Sequence, residues 1–518
     1  MRLTKEDLFY KNVVFFQSIS FFFAFILVFT SFAVSIESYQ SNLSERNEAR
    51  TELEFNLISD GYFSGWWNSR DQSLDGVLSG SIEFGRSDTI ARLTGVLSVN
   101  SSNSYFGLDA WVMNNIVVGM LFSTVDGSQM FIGRIQVQMP EFSFTVYANS
   151  NKIISGGGTF DGSFLPAPTG PYQVGVHSFH LIDDSREEWF TEDNVSDVRE
   201  LMVKVWYPTE DNDFSDRADY MDPITFSWLR NQGPVPLVTI PKDAYRFVHP
   251  YIYEEVEPVS QTCFPVLLFS PGYDGVDTIY TSFIDELVSQ GYVVVSMNHP
   301  FVSGVTVFPG GRVVYIADLP GNYSESADFL KQSQQTVIND ALFTLDFIEQ
   351  LNQTDDILSG IFDCSRVGMF GHSFGGAATM NCCFLDDRIK AGFTLDGVVY
   401  NEFITGAIDT PFLLMCAEQR FNHSSYEYVW NQFTSDAFQV GVVGSSHYGY
   451  TDVGVLLSHM LPLIPSSTLG FGTVDARSLI IITRCFERAF FDVYLKGAEK
   501  EELIDLFDNF DDLLILIK

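Results

Sequence analysis

The stretch RVGMFGHSFGGAATMNCCFL, residues 366–385, joins an apolar run to a run of small residues through Gly-His-Ser-Phe-Gly-Gly. A Gly-x-Ser-x-Gly pattern is weak by itself in a long, glycine-rich chain. Its context is specific. An apolar strand predicted over Arg366–Phe370 enters the turn and a helix leaves it. Such a sharp strand-to-helix turn holds a serine Oγ exposed, while glycines tolerate the crowding around it. Ser373 is the candidate nucleophile, and a serine hydroxyl needs a base within hydrogen-bond reach.

The flanking segments extend the pattern in both directions. ELMVKVWYP (200–208), FPVLLFSPG (264–272) and GYVVVSMNHP (291–300) read as buried strands. Helical patterns follow in TSFIDELVSQ (281–290) and QQTVINDALFTLDFIEQL (334–351). Beyond the serine come the strand runs KAGFTLD, TPFLLMCAE and FQVGVVG, then a closing helix around 477–495. Strands alternating with helices predict a mainly parallel sheet covered on both faces. With a serine elbow in the middle, the fold class is an α/β-hydrolase.

In this fold the partners follow in the order serine, acid, histidine. Downstream lie His423, His447 and His459. His447 stands directly after a buried strand, where a loop can lean over the sheet, and is the candidate general base. Many such hydrolases place the acid after the strand before the histidine strand. Here that position holds Gln419 or Arg420, with Glu418 as the last strand residue. One strand earlier, AGFTLDGVVY places Asp396 at a strand's C-terminal edge, where ligands bind in open α/β sheets. Asp396 is preferred to Glu418. Its task is to orient the imidazole and stabilise the imidazolium, without taking the proton. Oxyanion donors are expected from the N–H of Phe374, next to the nucleophile, and of Tyr273, in the loop LLFSPGYDG. Pro271 has no N–H to offer.

The rest of the chain sets the surroundings. There are 29 Lys+Arg against 66 Asp+Glu, a formal charge of −37, which disfavours nucleic acid and anionic membrane faces as partners. Hydrophobic residues make up 46%, enough for a large core rather than a disordered chain. Arg2, Lys5 and Lys11 precede a stretch over 13–36 that carries no charge. Its length, about the 20 residues that cross a bilayer, predicts a retained membrane anchor, or a leader cut after Ser35. Either places the remainder outside the cytoplasm. Short alternating runs between 50 and 165 predict an all-β sandwich or barrel of unknown role. The organisation is therefore 1–36 anchor or signal, 37–165 β module and 166–518 catalytic domain. The six cysteines show neither metal-ligand spacing nor a disulfide-rich pattern. His177 and His180, at an odd spacing on a strand, would face opposite ways. No metal or other cofactor is called for.

The catalytic segment resembles the platelet-activating factor acetylhydrolase family, the calcium-independent, serine-dependent phospholipase A2 type. GPYQVG (170–175), RELMVKVWYP (199–208), FPVLLFSPG (264–272), GHSFGG (371–376), AGFTLDG (391–397) and GSSHYGYTD (444–452) match its landmarks in order. The resemblance implies hydrolysis of short or oxidised acyl chains from phospholipids, without a metal, and an acid after the earlier strand, in agreement with Asp396. One departure concerns the oxyanion loop, where the family usually shows His-Gly and this chain has Pro271-Gly272. The alternatives are a cutinase or polyester-type esterase, a peptidase with an N-terminal β domain, and a surface-binding protein whose hydrolase domain is inactive.

Overall fold

The computed structural model describes the strands between 61 and 162. From 165 to 518 it describes all but residues 192–195, 211–217, 233–247, 249, 322, 398–403, 461–465 and 511. The anchor or signal expected over 1–36 lies outside the described residues. Among the described residues, no helix is long and apolar enough to cross a membrane.

Eight strands come first: Gly61–Ser69 (β1), Asp75–Phe84 (β2), Ala91–Ser98 (β3), Tyr105–Met113 (β4), Ile116–Ser123 (β5), Gly127–Gln138 (β6), Glu141–Ala148 (β7) and Asn151–Gly162 (β8). Each pairs antiparallel with the next, and β8 returns to β1, so the meander closes into a barrel. Closure leaves no sheet edge with unpaired backbone groups. Of the two β architectures open to the sequence, the chain takes the barrel.

The second sheet has ten strands in the order β11-β9-β10-β13-β12-β16-β17-β18-β19-β20. They are Gln173–Glu187 (β9), Val198–Thr209 (β10), Ile252–Glu254 (β11), Phe264–Ser270 (β12), Val293–Asn298 (β13), Phe362–His372 (β16), Ile389–Leu395 (β17), Phe412–Ala417 (β18), Ala437–Val442 (β19) and Leu513–Ile517 (β20). Val305–Val307 (β14) and Val313–Tyr315 (β15) form a separate hairpin. Six neighbours, β13 to β19 in sheet order, run parallel. The last strand, β20, pairs antiparallel with β19 and extends the sheet past the closing helix at which the sequence pattern ended.

Successive residues of the central strands enter opposite cores, as the two-residue period requires. On one face Leu267, Phe269, Phe370, Phe393 and Leu413 pack with helices Thr281–Ser289 (α1) and Ala476–Phe491 (α4). On the other, Val266, Leu268, Val367, Met369 and Leu414 pack with Tyr323–Thr354 (α2) and Ser373–Leu385 (α3). The α2 residues Val337, Ala341 and Leu345 recur every four positions, the stripe that faces a core.

A buried polar network anchors the end of β12. Ser270 Oγ lies 3.0 Å from His299 Nε2, and His299 Nδ1 lies 2.9 Å from Asp340 Oδ2. Asp340 also accepts two bonds from Arg199, which donates in addition to Glu188 and to the Pro300 carbonyl. Ser270, His299 and Asp340 have the bonding order of a catalytic triad, yet none is more than 1% exposed, so no substrate reaches them. Burial opposes charge on Asp340, but Arg199 and His299 outweigh it and hold the carboxyl far below its ordinary range. Asp340→Ala leaves the Arg199 charge buried with one carboxylate fewer. We expect a loss of about 3–5 kcal/mol in urea unfolding.

Candidate active site

The parallel strands all deliver their C-terminal ends to one edge. In chain order the sheet grows from β12 to β13, then reverses to add β16, β17, β18 and β19 on the other side of β12. The crevice at such a reversal is where open α/β sheets bind ligands. Here it lies between the end of β12, with the loop 271–275, and the end of β16, which leads into Ser373.

Ser373 opens α3 with φ 53, a left-handed conformation that an L-residue other than glycine adopts at a cost of about 1–2 kcal/mol. The turn is tight enough to exclude side chains at Gly371 and Gly375, two residues to either side. A Cβ on Gly375 would stand 2.1 Å from the Ser270 carbonyl oxygen, and one on Gly371 would stand 2.6 Å from the Gly375 backbone. Glycines at these positions let α3 start against the end of β12. On the facing loop, a Cβ on Gly272 would stand 3.3 Å from Ser373 Cβ, and the rings of Tyr273 and Phe374 meet edge-on at 5.5 Å. The structure thus brings together the two residues expected to supply oxyanion donors. The loop also carries Asp274, whose carboxyl burial pushes up to about 6.

Asp396 directly follows β17, also at positive φ (48), and is fully buried. His447 Nδ1 lies 2.5 Å from Asp396 Oδ2, and the Ala417 N–H donates to Oδ1 at 2.9 Å. Arg420 reaches the same carboxylate with Nε at 3.4 Å and donates to the Asp396 carbonyl. Burial would raise the Asp396 pKa, but the His447 bond and the Arg420 charge outweigh it and hold it below its ordinary value. Among the described residues the His447 ring hydrogen-bonds only to Asp396. Its Nε2 makes no hydrogen bond among the described residues.

The other candidates from the sequence have different partners. Glu418 accepts the Gly444 N–H at 2.8 Å, bracing the loop before His447 instead of touching its ring. His423 Nδ1 receives the Ser425 N–H at the start of a short helix. His459 lies in the helix Val453–Met460. His180 pairs with Glu200, and His177 stacks near Phe179. Among the described residues no group of three or more His, Cys, Asp or Glu is placed to hold a metal ion, and the six cysteines are free thiols.

A model of the family "Platelet-activating factor acetylhydrolase, isoform II" matches residues 157–308 and 341–495, more than half of the chain. The chain belongs to this acetylhydrolase family. It is a carboxylic ester hydrolase. A probable 1-alkyl-2-acetylglycerophosphocholine esterase of Arthroderma benhamiae is 28% identical over 288 residues, covering 51% of this chain and 69% of the relative. The platelet-activating factor acetylhydrolase of Cavia porcellus is 23% identical over 399 residues, 69% of this chain and 82% of that one. Among solved structures, a ferulic acid esterase from Streptomyces cinnamoneus is similar with a TM-score of 0.53 and 25% identity, covering 64% of this chain and 93% of that one.

Three residues that the structure places beside this candidate site were not singled out in the sequence: His372, Tyr280 and Asp452. Asp452 ends the motif GSSHYGYTD and accepts from the Ser282 N–H at 3.3 Å and the Tyr220 hydroxyl at 3.0 Å. Its own N–H donates to the Ile279 carbonyl. It therefore straps the histidine loop to the start of α1. Burial raises its pKa from 3.8 to about 7 despite these donors. A raised carboxyl pKa means that the folded state holds a proton which the unfolded state has lost, so stability falls as pH rises between these values. We expect Asp452→Asn to remove a slope of up to about 1.4 kcal/mol per pH unit in that window, measured by urea unfolding from pH 4 to 8.

Proposed function

We propose that the chain hydrolyses short or oxidised acyl esters of phospholipids through an acyl-enzyme, with Ser373, His447 and Asp396 as nucleophile, base and acid. The observation that carries this reading is the Asp396–His447 bond of 2.5 Å, on the sheet edge where the strained Ser373 turn also stands. Asp396 holds the hydrogen on Nδ1, so Nε2 can take the proton of Ser373 Oγ as the hydroxyl attacks the ester carbonyl. The oxyanion is received by the Phe374 and Tyr273 N–H groups, each such donor being worth about 3 kcal/mol. His447 returns the proton to the leaving alcohol. It then activates a water that frees the acid, and Asp396 stays ionised throughout.

The acetyl-phospholipid substrate is supported by what the relatives are named for, and no cofactor is required by these steps. A second reading, a carboxylic ester outside the phospholipids such as a cutin or polyester link, is favoured by the likeness to a ferulic acid esterase. For the whole chain the proposal keeps 37–165 as a separate β module and 166–518 as the catalytic domain. Residues 1–36 are then an anchor or leader that puts both outside the cytoplasm.

The test uses p-nitrophenyl esters of increasing chain length beside an acetylated phospholipid. Activity confined to short chains and shared with the phospholipid is the expected result. Long-chain or polyester activity without phospholipid turnover supports the second reading. Ser373→Ala should abolish turnover, and Asp396→Asn should lower kcat by about 10⁴-fold. Glu418→Gln, which touches the loop and not the ring, should keep kcat within about ten-fold of wild type. A large loss with Glu418→Gln and none with Asp396→Asn would move the acid to the later strand.

A further inference from the structure

The residue before the nucleophile belongs to a connected set that reaches all three loops of the site. His372 and Tyr280 are 3% and 1% exposed. A carbonyl oxygen can only accept, so His372 Nε2, 2.9 Å from the His447 carbonyl, carries a hydrogen and donates it. In the neutral ring Nδ1 is then an acceptor, and the Tyr280 hydroxyl 2.9 Å away donates to it. The Tyr280 oxygen in turn accepts the Gly272 N–H at 3.4 Å. Each direction follows from the one before. Packing reinforces the bonds: a Cβ on Gly272 would stand 3.0 Å from His372 Nδ1, and the His372 and His447 rings lie 4.6 Å apart.

We propose that His372 is a positioning residue: a neutral ring, hydrogen on Nε2, that fixes the His447 backbone against the nucleophile turn and, through Tyr280, ties that turn to the oxyanion loop. This gives His372 a task within the roles proposed for Ser373 and His447. Neutrality matters because His447 becomes an imidazolium as Ser373 gives up its proton. A second imidazolium at this ring separation would oppose that charge. The groups facing His372 are Tyr280, His447, Asp396 and Arg420. Burial and the His447 and Arg420 charges outweigh the bond to the His447 carbonyl and the Asp396 charge and push the His372 pKa down to about 3, so the ring stays neutral while its neighbour charges.

The experiment measures kcat and KM on p-nitrophenyl acetate, the rate of fluorophosphonate labelling of Ser373, and the melting temperature. The full chain is compared as wild type, His372→Leu, His372→Gln and Tyr280→Phe. Gln offers one donor and one acceptor without a charge, whereas Leu offers neither. A misplacement near 1 Å costs roughly 100-fold, so His372→Leu should lose about that much in kcat, with KM within about two-fold and Gln recovering to within about ten-fold. Labelling should slow in parallel, and Tyr280→Phe should fall between Leu and wild type. Wild-type kcat and labelling in His372→Leu would overturn the proposal, as would a loss in Gln equal to that in Leu. Should His372→Leu melt too low to assay, the Gln and Tyr280→Phe values decide: wild-type kcat in Tyr280→Phe removes the tie to the oxyanion loop. If wild type takes no label on Ser373, or Ser373→Ala still turns over ester, the underlying roles fail and this positioning role falls with them.

Discussion

The close approach of α3 to the end of β12 is the constraint on which the site depends. With the Ser270 carbonyl only 2.1 Å from where a Gly375 Cβ would be, the helix can start here only because position 375 has no side chain. That contact sets Ser373 in its left-handed conformation and brings Phe374 beside Tyr273. It also explains why so much buried polar structure gathers beneath β12. Ser270, His299, Asp340 and Arg199 form a satisfied network there, and a displaced β12 would displace the partner of the helix start.

Around this contact the carboxylates divide their work by environment. Asp396 is buried but receives two N–H donors and a neighbouring guanidinium, so it stays ionised beside His447. Asp452 is equally buried, yet its donors do not offset burial and its pKa is raised. Glu418 faces a backbone N–H of the histidine loop. The position where many hydrolases of this fold carry their acid falls at Gln419 or Arg420, and the Arg420 guanidinium lies beside the Asp396 carboxylate one strand earlier.

The histidine loop is secured on several sides. Gly444 is held by Glu418, Ser445 by the Val442 carbonyl, Ser446 by the Gly470 carbonyl and Asp452 by the start of α1. His372 adds a bond to the carbonyl of His447 itself. The backbone that carries His447 is thus fixed from both ends, as the base role proposed for it would require.

Local order was legible in the residues. Alternation and apolar runs marked most strands of the barrel and of the large sheet, because strand period and burial are written in consecutive positions. The elbow around Ser373 was legible because a strained turn demands particular glycines. The choice of Asp396 over Glu418 could be argued from strand ends, since parallel strands share one functional edge. By itself the sequence determined most of the strands and main helices, where the candidate nucleophile turn lies and which few carboxylates and histidines could serve it. Tertiary structure decided barrel over sandwich, the addition of β20, and the joining of His372, Tyr280, Arg420 and Asp452 to the site. The physical reason is distance along the chain. Tyr280 and His372 are 92 residues apart, and Tyr220 and Asp452 are 232 apart. Their pairing has no local pattern and exists only once the sheet has brought its loops to one edge.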